Sequence, residues 1–152
     1  MRAIRLFVSV GAVFCFAAAC GRRPDFKPVA NVKQIMVATI GPSAEVVFDS
    51  VGTIVSTSGV QEIAPKNDEE WATVRNSALT LAESGNLLMI GDRAKDKGEW
   101  IKLSRALADA GMAAFKAAEA KNPAALLEAG GLVTAVCDNC HTLYRPEERP
   151  RA

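Results

Sequence analysis

Histidine is almost missing from this chain: His141 is the only one among 152 residues, accompanied by four cysteines, one tyrosine and two tryptophans. A structural zinc site needs four Cys or His ligands, usually as two spaced pairs, and no second pair follows Cys137 and Cys140, which counts against that class. Charge of one sign is also lacking, with 18 basic residues against 17 acidic ones. Nothing therefore points to nucleic acid, which selects basic patches. No apolar run reaches membrane-spanning length: the longest, Leu6 to Ala19, is too short for a good span. Aromatics make up only 6% of the residues while alanine is plentiful, a composition that suits helices approaching one another closely. One domain with an adequate core fits the length.

The apolar run has another use. Arg2 and Arg5 precede it and the small residues Ala17-Ala18-Ala19 end it, the layout of a signal peptide over residues 1–19. Cys20 would then be the first mature residue and resembles the acylated cysteine of a bacterial lipoprotein, although Ala17 stands where that box usually has Leu. The expected location is the periplasm, with Cys20 as the candidate lipid attachment to a membrane. Residues 20–29, with Pro24 and Pro28, read as a tether and residues 147–152 as a tail. Cys15 leaves with the leader, which leaves only Cys137 and Cys140 to account for.

Those two stand in Cys137-Asp138-Asn139-Cys140-His141, the C-x-x-C-H spacing of a covalent haem c site. Two thiols three positions apart can add across the two haem vinyl groups, and the adjacent imidazole is a suitable proximal iron ligand. A thioredoxin-like dithiol would instead follow a strand and open a helix, and no strand pattern precedes Cys137. A haem-free dithiol redox protein is nevertheless the competing reading from a different class.

Apolar spacing predicts an all-α chain of four helices over residues 30–146. The first places Val32, Ile35, Met36, Thr39 and Ile40 on one side and is expected to kink, or to split, at Gly41-Pro42. Thr53 to Val60 reads as a fraying helix end followed by a loop. The second helix is capped by Asn67, with Glu70 reaching back, and carries Trp71, Val74, Ala78, Leu81 and Ala82 until Gly85 stops it. The third is capped by Asp96, with Glu99 at its third position, and runs through Trp100, Leu103, Leu107, Ala110 and Ala114 to about Ala120. Asn122-Pro123 starts the fourth, which carries Leu126, Gly130, Val133, Cys137 and Cys140 and ends between Leu143 and Arg145. Short connections make an up-down-up-down antiparallel four-helix bundle the economical topology.

That topology bears on the distal side of the iron. Without a second histidine, a strong sixth ligand would be a thioether. Met112 lies roughly 20 Å up the third helix at about 1.5 Å per residue, too far from the end that holds His141. Met89 is at the correct end but in a loop. Met36 lies near the start of the first helix, at that end, and is the candidate distal ligand; its alternative role is core filling, for which a flexible side chain is suited. Tyr144 and Arg145 are candidate haem contacts, the first by packing on the porphyrin, the second by pairing with a propionate, while the helix dipole alone also favours a cation there.

The motif Cys137-x-x-Cys140-His141-x-x-Tyr144-Arg145, close to the C-terminus of a four-helix chain, resembles the class II cytochromes c over approximately residues 30–146. That family includes cytochrome c-prime and its low-spin, Met/His-ligated relatives. Asn31-Val32-Lys33-Gln34-Ile35-Met36 looks like the segment that supplies the distal methionine in the low-spin members. The resemblance implies a one-haem electron carrier, not an enzyme, that works with periplasmic or membrane redox partners, and family members often form homodimers through helices one and two. In cytochrome c-prime proper it implies instead a five-coordinate iron that binds small gases. A lipoprotein-like cysteine is not a general feature of the class.

Overall fold

Asn31 opens the first helical segment by a reciprocal cap. Its side chain accepts the Gln34 N–H at 2.9 Å, and Gln34 Oε1 accepts the Asn31 N–H at 2.9 Å. The computed structural model describes residues 26–145, so the leader, Cys20, most of the tether and the tail lie outside the described residues. From the cap, α1 (Val32–Ile35) passes into a π-helical stretch, Met36–Ile40, and then into α2 (Gly41–Asp49). The break expected at Gly41-Pro42 takes the form of a widened turn that divides the run into two α-helical segments. The Gly41 N–H donates to the Met36 carbonyl, five residues back, so the ladder opens just before Pro42 reaches it. Gly41 suits this turn, since a Cβ there would stand 3.0 Å from the Met36 carbonyl oxygen.

The loop expected over Thr53 to Val60 is a β-hairpin. Strands β1 (Gly52–Ser56) and β2 (Gly59–Ile63) pair antiparallel, with Val55 opposite Val60 and Thr53 opposite Glu62. The β-branched residues Thr53, Ile54, Val55 and Val60 fit a pleated strand better than a frayed helix. Gly59, at φ 130°, takes the turn-end conformation that other residues avoid. The Thr53 hydroxyl donates to Glu62 across the pair at 3.0 Å.

Asn67 caps α3 (Asp68–Leu88) by accepting the Glu70 N–H at 2.9 Å, and three acids in the first turn match the positive end of the helix dipole. Glu70 reaches one residue further back than expected, accepting the Lys66 N–H at 2.6 Å. Gly85 does not stop this helix, which continues to Leu88. Its role is contact: a Cβ at Gly85 would lie 2.4 Å from the Ser104 carbonyl oxygen, and one at Gly111 would lie 2.6 Å from the Ala82 nitrogen.

After a 3₁₀ turn, Gly91–Arg93, α4 (Glu99–Glu119) begins with Gly98 in the cap position. Asp96 was expected there. It caps from two residues upstream, its Oδ1 accepting the Gly98 N–H at 2.7 Å and the Trp100 N–H at 3.1 Å, while Glu99 pairs with Lys102 at 3.3 Å. The last helix, α5 (Pro123–Tyr144), starts and ends where the sequence places it, with Asn122 accepting the Ala125 N–H at 3.1 Å.

Neighbouring helices run in opposite directions. Along α3 and α4, Leu88 meets Trp100, Gly85 meets Ser104 and Ala82 meets Gly111. Met36 shares a cleft with Cys140 and His141, whereas Phe48, later in the first helical run, lies against Gly130, earlier in α5. The core forms two clusters. One holds Val47, Trp71, Val74, Ala114 and Leu126; the other holds Ile35, Ile40, Leu81, Leu88, Trp100, Leu107 and Val133, with Met36, Cys137 and Tyr144 packed against it. Among the described residues, no helix is long and apolar enough to cross a membrane.

Candidate haem-binding cleft

Cys137, Cys140 and His141 sit well inside α5, far from its N-terminus, at positions i, i+3 and i+4. That spacing sets all three on one helical face, so a single planar group could meet both sulfurs and the imidazole. All three are half-buried, and the two cysteines are free rather than joined to each other.

Cys140 and His141 look onto a cleft of about 540 Å³ formed where the first helical run, the start of α4 and the end of α5 meet; Cys137 does not border it. Met36, Val37, Trp100, Cys140, His141 and Tyr144 border it. A small void of about 40 Å³ lies deeper, between Met36, Ile40, Leu107, Val136, Cys137 and Cys140, with His141 also on its wall. Met36, Cys140 and His141 border both spaces, and so form the partition between the open cleft and the core. Met89 and Met112 border neither. A larger cleft, about 700 Å³, opens between α2, the hairpin and the start of α3, but it carries no thiol, imidazole or thioether.

Burial pushes both thiols above their ordinary range, and at Cys137 the nearby Asp138 carboxylate and Cys140 add to the effect. They are therefore protonated at neutral pH, unlike the lowered thiols of disulfide-exchange proteins, which sit at helix N-termini or beside cations. Burial also holds His141 below its usual value; Arg145 reinforces this and Asp138 opposes it. A neutral imidazole is the form that coordinates a metal.

Lys33, Lys95 and Arg145 stand around the cleft, and among the described residues no carboxylate borders it. Arg145 is placed by its N–H, which donates to the His141 carbonyl at 2.9 Å at the end of α5. Tyr144 is fixed from two sides. Its ring meets Trp100 edge to face at 4.9 Å between centroids, and its hydroxyl donates to Asp96 Oδ2 in a short hydrogen bond. Trp100 in turn donates its indole N–H to the Leu88 carbonyl at 2.8 Å. Trp71 belongs to the other core cluster and does not border the cleft. The Asp96 link escaped sequence reasoning because 48 residues separate its partners.

That link is pH-sensitive. Its hydrogen bond to Asp96 pushes the Tyr144 phenol up to about 12, and holds the Asp96 carboxyl below its ordinary value. A phenol normally ionises near ~10, so the bond's contribution is complete below that pH and is lost as the pH rises through about 12. On the acid side, the contribution of Asp96 is present above the ordinary carboxylate value and is lost as pH falls through the lowered one. Tyr144 is the chain's one tyrosine, so a spectrophotometric titration should show tyrosinate forming late in the folded protein and near ~10 once it is unfolded. Tyrosinate at the ordinary pH in folded protein would contradict the bond.

A haem fits these surroundings. The cleft lies within the roughly 300–1,000 Å³ of sites for small molecules and cofactors, its walls carry the Cys140 thiol and the imidazole, Cys137 borders the adjoining void, and cations suited to propionates stand around it. Among the described residues, no three His, Cys, Asp or Glu side chains converge as a metal-binding group. Axial haem ligation needs no such group, since one imidazole and one thioether suffice. Comparison with family models, with curated proteins and with solved structures finds no match for this chain.

Proposed function

We propose that this chain is a one-haem c-type cytochrome that carries electrons, built as an up-down-up-down antiparallel four-helix bundle of the class II kind. One observation carries the reading: Met36 from the first helical run and Cys140 and His141 from the last border the same cleft, although the sequence separates them by about a hundred residues. Cys137 and Cys140 would hold haem c by thioethers, His141 would be the proximal ligand and Met36 the distal one. Bound haem supplies a one-electron ferric–ferrous couple.

The protein's share of the work is positional. His141 and Met36, each held in a helical segment, would offer a bound haem the same two ligands in both oxidation states. The buried Trp100 and Ile40 would limit water beside a bound haem, whose iron potential depends on such burial. Lys33, Lys95 and Arg145 give propionates their counter-charges. Cys137 and Cys140 lie far from the N-terminus of α5 and burial raises both thiols, whereas the thiols of a dithiol redox protein are activated at a helix N-terminus or beside a cation. The protein would act in the periplasm, with Cys20 as the lipid attachment that keeps it near membrane-bound redox partners, and with a second copy as a further candidate partner.

The test is chemical. Exported protein should be red, its haem should survive acid-acetone extraction, and intact-mass measurement should show one haem per chain. The double variant C137S/C140S should lose the covalent group. Colourless wild-type protein, with both thiols free or joined, would overturn the reading.

A further inference from the structure

Arg93 is 8% exposed, yet neither of the two ion pairs among the described residues includes it. Its guanidinium is held by backbone instead. Nε donates to the Ala30 carbonyl at 2.9 Å and Nη1 to the Leu87 carbonyl at 3.1 Å. A charge taken out of water this far is costly unless hydrogen-bonded, so its placement must be compensated by what it joins. It joins the residue just before the Asn31 cap to the last turn of α3.

The site gives this clamp a purpose. Met36 follows α1 directly and begins the π-helical stretch, where the ladder is widened. Downstream, the stretch is followed by Gly41-Pro42. Upstream, the four-residue α1 is too short to hold itself by helical cooperativity. Its position rests on the buried Ile35 in the second core cluster, on the Asn31–Gln34 cap and on whatever fixes Ala30. Gly91, at φ 57°, starts the turn that turns Arg93 inward.

We propose that Arg93 is a positioning residue for the distal ligand: by tying Ala30 to the end of α3, it sets where the Met36 thioether stands at the cleft. This rests on the reading of Met36 as a ligand. The planar fork, with donors aimed at two carbonyls on different elements, is what the role requires; a lysine ammonium would retain the charge but not both directions.

The test compares wild type, Arg93→Lys and Arg93→Met as exported, haem-bearing proteins. Hydrogen exchange of the amides over residues 32–40 should quicken by about ten- to a hundredfold in Arg93→Met, the scale expected when hydrogen bonds to a charged group are lost. Exchange in the middle of α4 should change far less. The methionine-to-ferric-iron absorption band should weaken in both variants, more in Arg93→Met, with carbon monoxide capture rising in parallel. If Arg93→Met does not fold, Arg93→Lys carries the measurement alone. A wild-type methionine band left at full strength in every folded variant overturns the role of Arg93 and leaves Met36 as ligand. Wild-type protein without the band overturns both. Loss of exchange protection spread evenly over all four helices would make Arg93 a general stabiliser and overturn the positioning role.

Discussion

Met36→Ala should leave the haem covalently attached while converting a low-spin spectrum into a high-spin one, with the methionine–iron band gone and carbon monoxide bound readily. The expectation follows from the sequence's single histidine and from the shared walls of cleft and void. No other imidazole can replace the thioether, and Met89 and Met112 border neither space. Because Met36 is only half-buried, truncation should cost about 1–2 kcal/mol in folding, less than for a fully enclosed side chain. The spectral effect should therefore far exceed the structural one. Met89→Ala and Met112→Ala serve as controls, and each should leave the spectrum unchanged. If Met36→Ala stays low-spin, the distal ligand is another group. If wild type already takes carbon monoxide freely, the distal side is open and Met36 is packing, which returns the protein to the gas-binding alternative.

The parts of this site that sequence could reveal are those written in local spacing. Cys137, Cys140 and His141 share a face because helical periodicity puts i, i+3 and i+4 together, and Asn122-Pro123 announces the helix that carries them. Met36 could be placed by topology, since antiparallel neighbours bring the start of the first helix beside the end of the last. Arg93 and Asp96 could not. Their partners, Ala30 and Leu87 for one and Tyr144 for the other, are fixed by how chain segments come together, and a charged residue in a polar loop looks solvated until those segments are in place. The hairpin was missed for another reason. Thr53, Ile54 and Val55 fit either a helix end or a strand, and the pairing with residues 59–63 decides between them. Gly85 was misread because glycine has two uses in a helix, ending it or admitting a neighbour, and only the packing of α4 distinguishes them.

That second use of glycine leads to the largest expected effect on stability. A methyl group at Gly85 would meet the Ser104 carbonyl oxygen at 2.4 Å and the Ala108 nitrogen at 2.9 Å; one at Gly111 would meet the Ala82 nitrogen at 2.6 Å. These are backbone atoms, which cannot rotate aside, so α3 and α4 must separate. Gly85→Ala and Gly111→Ala should each cost about 3 kcal/mol, at the upper end of ordinary overpacking, even though alanine is the better helix former. Gly131 supplies the contrast. Nothing lies within 4 Å of a Cβ there, and it is exposed inside α5. Gly131→Ala should therefore stabilise by about 0.5–1 kcal/mol through helix propensity alone. Separation of α3 from α4 also moves Trp100 and Leu107, which border the cleft and the void respectively. Chemical unfolding should show the opposite signs, and the Gly85→Ala spectrum should lose part of its low-spin character while that of Gly131→Ala does not. Equal stability in Gly85→Ala and Gly131→Ala would mean that α3 and α4 are not in such close contact, and the cleft would lose the wall on which its shape depends.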